Sequence, residues 1–272
     1  MKVFCILSDE RAFRSKSPVM HTAVLQRAGI DGVYVPFMVS PDRVGEAVRG
    51  LRALHVSGAN VTVPHKEAVM PFLDVLSDAA ASIGAVNTIV FSGEELHGHN
   101  TDAPGFLDVL DKSGFDPANK SVIVFGTGGA AKAVLFALGR AGARPVTVAG
   151  RDERRTGELA ARFNAEPVVL ESLPGRSVEA ELVVNATAVS TPAESPELAE
   201  LLGRIDVAGC EFVVDLNYAR SENFWKDLAA TRGARFVDGL PMLAHQARRS
   251  FRLWTGIEID VRHFEEALRE NL

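Results

Sequence analysis

The strongest constraint this chain places on its own fold lies between residues 122 and 140. An apolar run, Val122–Phe125, leads into Gly126-Thr127-Gly128-Gly129-Ala130-Ala131, and a helical pattern follows to about Arg140. Strand, glycine loop and helix in that order make a βα unit whose turn suits a dinucleotide pyrophosphate. Gly126 permits a tight turn and Gly128 lets the backbone approach phosphate. The helix N-terminus adds N–H groups and the positive end of its dipole. A glycine-rich turn that merely joins strand to helix is the plainer alternative, and the strand–helix context disfavours it. The next strand, Val146–Ala149, ends at Gly150-Arg151-Asp152. An acidic residue there serves the ribose 2′-hydroxyl of NAD, and an arginine the 2′-phosphate of NADP. Arg151, followed by Arg154 and Arg155, favours NADP, while Asp152 leaves room for NAD. The same arginines would equally suit a solvated helix start, paired with Asp152, Glu153 and Glu158.

Strands alternate with helices on both sides of this unit. Before it come Val3–Leu7, a helix over 17–29, Val33–Val39, a helix over 41–54, and Ala59–Val63. A hairpin, Val86–Phe91 with Leu96–Gly98, then turns at Ser92-Gly93-Glu94-Glu95. After it come a helix over 152–163 and strands at Leu182–Asn185, Phe212–Leu216 and Ala234–Val237. Such alternation predicts an α/β protein with mainly parallel sheets and helices on both faces. The pattern restarts near residue 102. We therefore expect a substrate domain over 1–102, a Rossmann-type domain over 103–239, and C-terminal helices over 240–272 that return to the first domain.

The net charge of −6 argues against non-specific binding to nucleic acid or an anionic membrane. Cys5 and Cys210 sit in apolar runs and read as small buried hydrophobes, with no disulfide or metal spacing. No window approaches the ~20 apolar residues of a membrane span. The apolar start is too short for a signal-peptide core, so a cytoplasmic protein is expected. His97 and His99 alternate on a strand without further ligands, so no metal is expected. The pattern does not decide between monomer and homodimer.

The first domain lacks a phosphate loop but carries polar clusters at predicted element ends. In Gly58-Ala59-Asn60-Val61-Thr62-Val63-Pro64-His65-Lys66, alternation sends Asn60 and Thr62 to one side of a strand. Pro64 suits the first turn of a helix over 64–76, which would put Lys66 at the strand's C-terminal edge, where α/β sheets bind ligands. Further clusters are Ser15-Lys16-Ser17-Pro18, Gly84-Ala85-Val86-Asn87-Thr88 and Gly98-His99-Asn100-Thr101-Asp102. Each has a bland reading. Ser17 is a good N-cap, Asn100 or Asp102 would cap the next helix, and a lone lysine is most often exposed. Their conjunction with a dinucleotide fold is the improbable part.

These motifs, in this order, resemble the shikimate dehydrogenase family over nearly the whole chain. The paired serines, Asn60 to Lys66, Gly84 to Thr88, Asn100 to Gly105 and Gly126 to Ala130 each resemble a family signature. So do Gly239-Leu240-Pro241-Met242-Leu243-Ala244-His245-Gln246 and the Phe251…Trp254-x-Gly256 ending. The resemblance implies NADP-dependent, reversible reduction of 3-dehydroshikimate to shikimate, with Lys66 and Asp102 as the catalytic pair. It implies substrate contacts from Ser15, Ser17, Thr62, Asn87, Tyr218 and Gln246. Cofactor contacts would come from Gly126, Thr127, Gly128, Gly129, Ala130, Arg151, Arg155, Thr187, Gly239 and Met242. A quinate or aminoshikimate dehydrogenase using NAD or NADP is the nearest alternative, and a silent NADP-binding sensor a more distant one. Both serines favour shikimate, and retention of Lys66 and Asp102 favours an enzyme. The chain departs from the family pattern at Asp9-Glu10-Arg11, at His65, after Ser190 and after Tyr218. His65 would lower the Lys66 pKa when charged, or point away; pointing away is favoured.

Overall fold

The computed structural model describes residues 1–270, so residues 271 and 272 of the expected C-terminal segment lie outside the described residues. The chain divides into two compact units. The first runs from Met1 to Gly105 and resumes at Leu243, and the second spans Phe106–Met242.

The first unit contains β1 (Lys2–Ser8), α1 (Ser17–Arg27), β2 (Gly32–Met38), α2 (Val44–Ala53), β3 (Gly58–Val61), β4 (Val75–Leu76), α3 (Asp78–Ile83), β5 (Thr88–Ser92) and β6 (Glu95–His99). Its sheet has the order β2-β1-β3-β5-β6-β4. Strand β5 runs antiparallel to both β3 and β6, while β1 pairs β2 and β3 in parallel. Residues of β1, α2, β3 and β5 meet in the core, among them Leu7, Val48, Val61 and Ile89. Gly84 ends α3 in the left-handed region at φ 71°, where glycine carries no Cβ penalty. The chain then enters the segment that carries Asn87.

Helix α4 (Asp102–Lys112) carries the chain into the second unit. There follow β7 (Val122–Phe125), α5 (Gly129–Arg140), β8 (Val146–Gly150), α6 (Glu153–Phe163), β9 (Glu166–Val169), β10 (Ser177–Glu179) and β11 (Leu182–Asn185). Then come α7 (Pro196–Leu202), β12 (Asp206–Ala208), β13 (Phe212–Asp215), α8 (Phe224–Arg232) and β14 (Arg235–Val237). The large sheet is wholly parallel, in the order β14-β13-β11-β7-β8-β9. Strand order reverses between β7 and β11, which is the crevice where doubly wound sheets bind ligands. All residues of β7, β11 and β13 are buried, as central parallel strands covered on both faces require. Helix α9 (Gly239–Thr255) leads back to the first unit, and α10 (Val261–Arg269) follows.

Several sequence expectations need correction. Residues 64–69 form turns rather than the start of a helix, and only a short 3-10 turn, Met70–Phe72, appears before β4. The Lys66 carbonyl accepts the Val86 N–H at 2.8 Å, so a tertiary pairing takes an acceptor that a helix would use. Ser17 does not cap α1 from outside. It is the first helical residue, and its N–H donates to Ser15 Oγ at 3.2 Å. Strands β4, β9, β10 and β12 and helices α3, α7 and α8 carry too little periodicity in sequence to be expected.

His21 of α1 is buried in an aromatic cluster within the first unit. Its ring stacks on Tyr34 at 4.5 Å between centroids and meets the edge of Phe264 at 6.0 Å. Neither ring nitrogen has a hydrogen-bond partner among the described residues, and burial holds the imidazole down to about 3. As pH falls below the unfolded value near 6.5, the unfolded chain takes a proton that the folded chain refuses. Stability should therefore fall by about 1.4 kcal/mol per pH unit from this group, or about 2 kcal/mol by pH 5. Urea unfolding of wild type and His21→Phe at pH 7.5 and pH 5 checks this. The variant should lose that part of the pH slope, and equal slopes would rule it out.

Candidate active site and dinucleotide site

Lys66 is pinned through its backbone. The His65 N–H closes a turn onto the Thr62 carbonyl at 2.8 Å, and the Lys66 carbonyl is held by Val86 as above. The His65 ring, 1% exposed, donates Nε2–H to the Val39 carbonyl at 2.8 Å. His65 thus points into the core and braces the turn from behind.

Asp102 is placed by a helix start. Asn100 Oδ1 accepts the N–H groups of Asp102 and Ala103 at 3.1 and 3.2 Å, while its amide donates to the Ala85 carbonyl at 2.9 Å. Of the two candidate caps, Asn100 is therefore the one used. Asp102 sits in the first turn of α4, where the helix dipole favours a negative charge. Its Oδ2 accepts from Lys66 Nζ at 2.6 Å, with the two side chains 8% and 11% exposed. At that distance and burial this is a charge-assisted hydrogen bond in a poorly screened setting.

Asn87 completes the pair. Its Oδ1 accepts the Thr101 backbone N–H at 2.8 Å, and a backbone N–H can only donate. That fixes the amide's orientation, so Nδ2 faces Asp102 Oδ1 at 2.8 Å and Thr101 Oγ1 at 2.9 Å. Gln246, on α9, brings Oε1 within 3.4 Å of both Asn87 Nδ2 and Thr101 Oγ1. Beneath them, Ser250 Oγ lies 2.8 Å from Thr88 Oγ1 and 3.1 Å from Thr101 Oγ1. Asn60 donates to Ser250, Thr88 and the Asn87 carbonyl and accepts from Tyr34 OH at 2.8 Å.

The structure thus brings Lys66, Asp102, Asn87 and Gln246 into one hydrogen-bonded cluster. Ser15 and Ser17 belong to the same unit, joined to each other through the Ser17 N–H. The loop before them is a 3-10 turn, Glu10–Arg14, capped by Asp9. The Arg11 guanidinium grips the Asp9 carboxyl and holds it down to about 2. Thr62 lies half-buried just past β3. Sequence reasoning missed Thr88, Thr101 and Ser250 as supports. Ser250 had a signal, since it stands four residues after Gln246 on one helix face. Burial and then neighbouring His97 hold His99 below the usual histidine range, and its carbonyl accepts the Asn87 N–H.

In the second unit, Gly126 has φ 113°, and a Cβ there would lie 2.8 Å from the Ala186 carbonyl oxygen. The loops after β7 and β11 therefore approach closely only because residue 126 has no side chain. Gly128 precedes α5 as its N-cap, with no side chain to occupy the helix end. Thr127, Gly129 and Ala130 are half-buried around it. Thr127 packs where a Gly150 side chain would stand.

Asp152 spends Oδ1 on the Arg155 N–H at 2.8 Å, as the cap of α6, and Arg154 pairs with Glu158 at 2.6 Å. Arg151 and Arg155 are exposed at the end of β8 and the start of α6. A glycine cradle, an open helix N-terminus and two nearby arginines are the donors a 2′-phosphorylated dinucleotide needs.

Thr187 Oγ1 donates to Asn185 Oδ1 at 2.7 Å and so braces its own turn. The Gly239 N–H donates to the Asn217 carbonyl at 2.9 Å, and a Cβ there would strike the Leu216 carbonyl. Met242, on α9, is buried. Tyr218 follows β13 in this unit.

The chain is similar to known proteins over nearly its whole length. Residues 10–89 match the shikimate dehydrogenase substrate binding domain, 110–223 match shikimate / quinate 5-dehydrogenase, and 239–269 match the shikimate 5′-dehydrogenase C-terminal domain. The shikimate dehydrogenase (NADP(+)) of Moorella thermoacetica is 41% identical over 265 residues, covering 94% of this chain and 89% of its own. A crystal structure of shikimate dehydrogenase from Aquifex aeolicus superposes with a TM-score of 0.88 at 34% identity, covering 99% of this chain and 98% of its own. The Thermus thermophilus shikimate 5-dehydrogenase, crystallised with NADP(H) and shikimate, gives 0.86 at 38% identity over the whole of both chains. On motif order and on similarity along its whole length, this chain belongs to the shikimate dehydrogenase family.

Proposed function

We propose that this protein is an NADP-dependent shikimate dehydrogenase that reversibly reduces 3-dehydroshikimate to shikimate. The observation that carries the reading is the Lys66–Asp102 pair at 2.6 Å, held by Asn87 and neighboured by Gln246. A cyclic polyol needs several groups that both donate and accept, and the Asn87 and Gln246 amides supply them. Ser15 and Ser17 hydroxyls hold the substrate carboxylate, and Thr62 and Tyr218 contribute further contacts. When bound, NADPH supplies the hydride that reduces the ketone carbon. Lys66 acts as general acid, giving a proton from Nζ to the oxygen as its negative charge develops, and regains one from solvent. Asp102 holds the ammonium in place and accepts from the neighbouring substrate hydroxyl. In the oxidative direction the same lysine, neutral, takes the proton back. Gly126 to Ala130, Thr187, Gly239 and Met242 form the dinucleotide site. No helix among the described residues is long and apolar enough to cross a membrane, and the reading assigns the enzyme to the cytoplasm.

Steady-state oxidation of shikimate and of quinate, each with NADP and with NAD, tests this reading. Shikimate with NADP should give the largest kcat/KM, and a preference for quinate would overturn the substrate assignment. Arg151→Ala should raise KM for NADP about tenfold or more while leaving KM for NAD within about twofold, since only NADP carries the 2′-phosphate that a charge-assisted bond would grip. Equal effects on both would remove Arg151 from that role.

A further inference from the structure

Two loops of the second unit are tied to each other by side chains. The loop after β11 runs Ala186-Thr187-Ala188-Val189-Ser190-Thr191, and the loop after β13 runs Leu216-Asn217-Tyr218-Ala219-Arg220. Ala219 has φ 56°, in the left-handed region, although it is not glycine. Such a residue persists only when its surroundings hold it.

Two layers of contacts do so. The inner layer centres on Asp215, which is fully buried. Its carboxylate accepts from Asn185 Nδ2, Ser190 Oγ and Asn223 Nδ2, each at 2.7 Å, and from the Asn217 N–H at 3.0 Å. Asn217 Nδ2 in turn donates to the Thr187 carbonyl at 2.9 Å. The outer layer is an ion pair whose two ends both grip main chain. Glu194 Oε2 accepts the N–H groups of Ser190 and Thr191 at 2.8 and 3.1 Å. Its Oε1 accepts from Arg220 Nη2 at 2.7 Å, and Arg220 Nη1 donates to the Tyr218 carbonyl at 3.1 Å. A continuous bridge therefore runs from the 190–191 backbone through carboxylate and guanidinium to the backbone of residue 218.

We propose that Arg220, clasped by Glu194, is a positioning residue that sets the Tyr218 main chain against the turn that carries Thr187. Its consequence for turnover rests on the reading of Tyr218 as a substrate contact. The guanidinium reaches the carboxylate and the carbonyl through two separate nitrogens, a geometry that a lysine ammonium reproduces only in part. Both side chains are about a third exposed (34% and 29%), so the pair is partly screened and its effect should be moderate.

The test compares Arg220→Ala, Arg220→Lys, Glu194→Gln and Tyr218→Phe. Arg220→Ala and Glu194→Gln should raise KM for shikimate about threefold to tenfold with kcat within about twofold. Arg220→Lys should recover part of the loss. Amide hydrogen exchange over residues 216–220 should quicken in Arg220→Ala while exchange in the β13 core stays slow. Unchanged exchange over 216–220 in both Arg220→Ala and Glu194→Gln would overturn the clasp. Faster exchange with an unchanged KM, where Tyr218→Phe does raise KM, would overturn the positioning role. A wild-type KM in Tyr218→Phe would withdraw Tyr218 as a substrate contact, and the clasp would then stand or fall on the exchange alone.

Discussion

Lys66→Ala should lower kcat for shikimate oxidation by about 10²–10⁴-fold while leaving NADP affinity unchanged. The first half follows from the proton balance. Hydride arriving at a ketone carbon leaves an alkoxide, and Lys66, held by Asp102 on one side and by the 62–66 turn on the other, is the acid proposed to protonate it. The second half follows from the chain's division, because Lys66 belongs to the first unit and the glycine loop to the second. Removing the ammonium also leaves Asp102 Oδ2 without its partner in a mostly buried position, which should cost stability. The measurement is therefore kcat together with NADP titration and thermal unfolding. A folded variant with kcat near wild type would remove Lys66 from the proton step.

Gly126→Val should be nearly as damaging, through a different link. At φ 113° a side chain is strained whatever space surrounds it, and here the space is absent as well. The new Cβ would stand 2.8 Å from the carbonyl oxygen and 2.9 Å from the carbonyl carbon of Ala186. Both are backbone atoms next to Asn185 and Thr187, whose turn is itself hydrogen-bonded, so neither can yield cheaply. Backbone strain of about 1–3 kcal/mol is expected, and the phosphate cradle should lose its shape. NADP affinity should fall by at least about a hundredfold, while shikimate binding in the absence of NADP stays near wild type. Near-normal NADP affinity would mean that this loop does not approach the pyrophosphate.

The centre of the second unit was the most legible part of the sequence. Its central parallel strands, β7, β8, β11 and β13, appear as apolar runs, and Gly126, Gly128 and Arg151 follow β7 and β8 at fixed offsets, whereas its edge strand β9 and the small β10-β12 sheet gave no such signal. The first unit was harder to read around Lys66. Pro64 gave a local signal for a helix start, yet the segment forms turns because Val86 and Val39 supply and accept its hydrogen bonds from elsewhere. Alternation put Asn60 and Thr62 on one side of a strand, and there Asn60 is buried, tying Tyr34 to Asn87, Thr88 and Ser250. Alternation shows that two residues share a side of a strand, not which side of the sheet another helix will cover.

By itself the sequence determined the alternating α/β order, the dinucleotide loop, and the lysine, aspartate and amide side chains that the proposed chemistry uses. Those are local patterns, set by periodicity, turn chemistry and residue type. Tertiary structure alone decided which of those groups meet. Lys66 and Asp102 are 36 residues apart, and Thr88 and Ser250 are 162 apart. Their pairing, the orientation of the Asn87 amide and the inward turn of His65 come from donors and acceptors that must be satisfied once burial has removed water. That accounting can be closed only when the whole chain has packed.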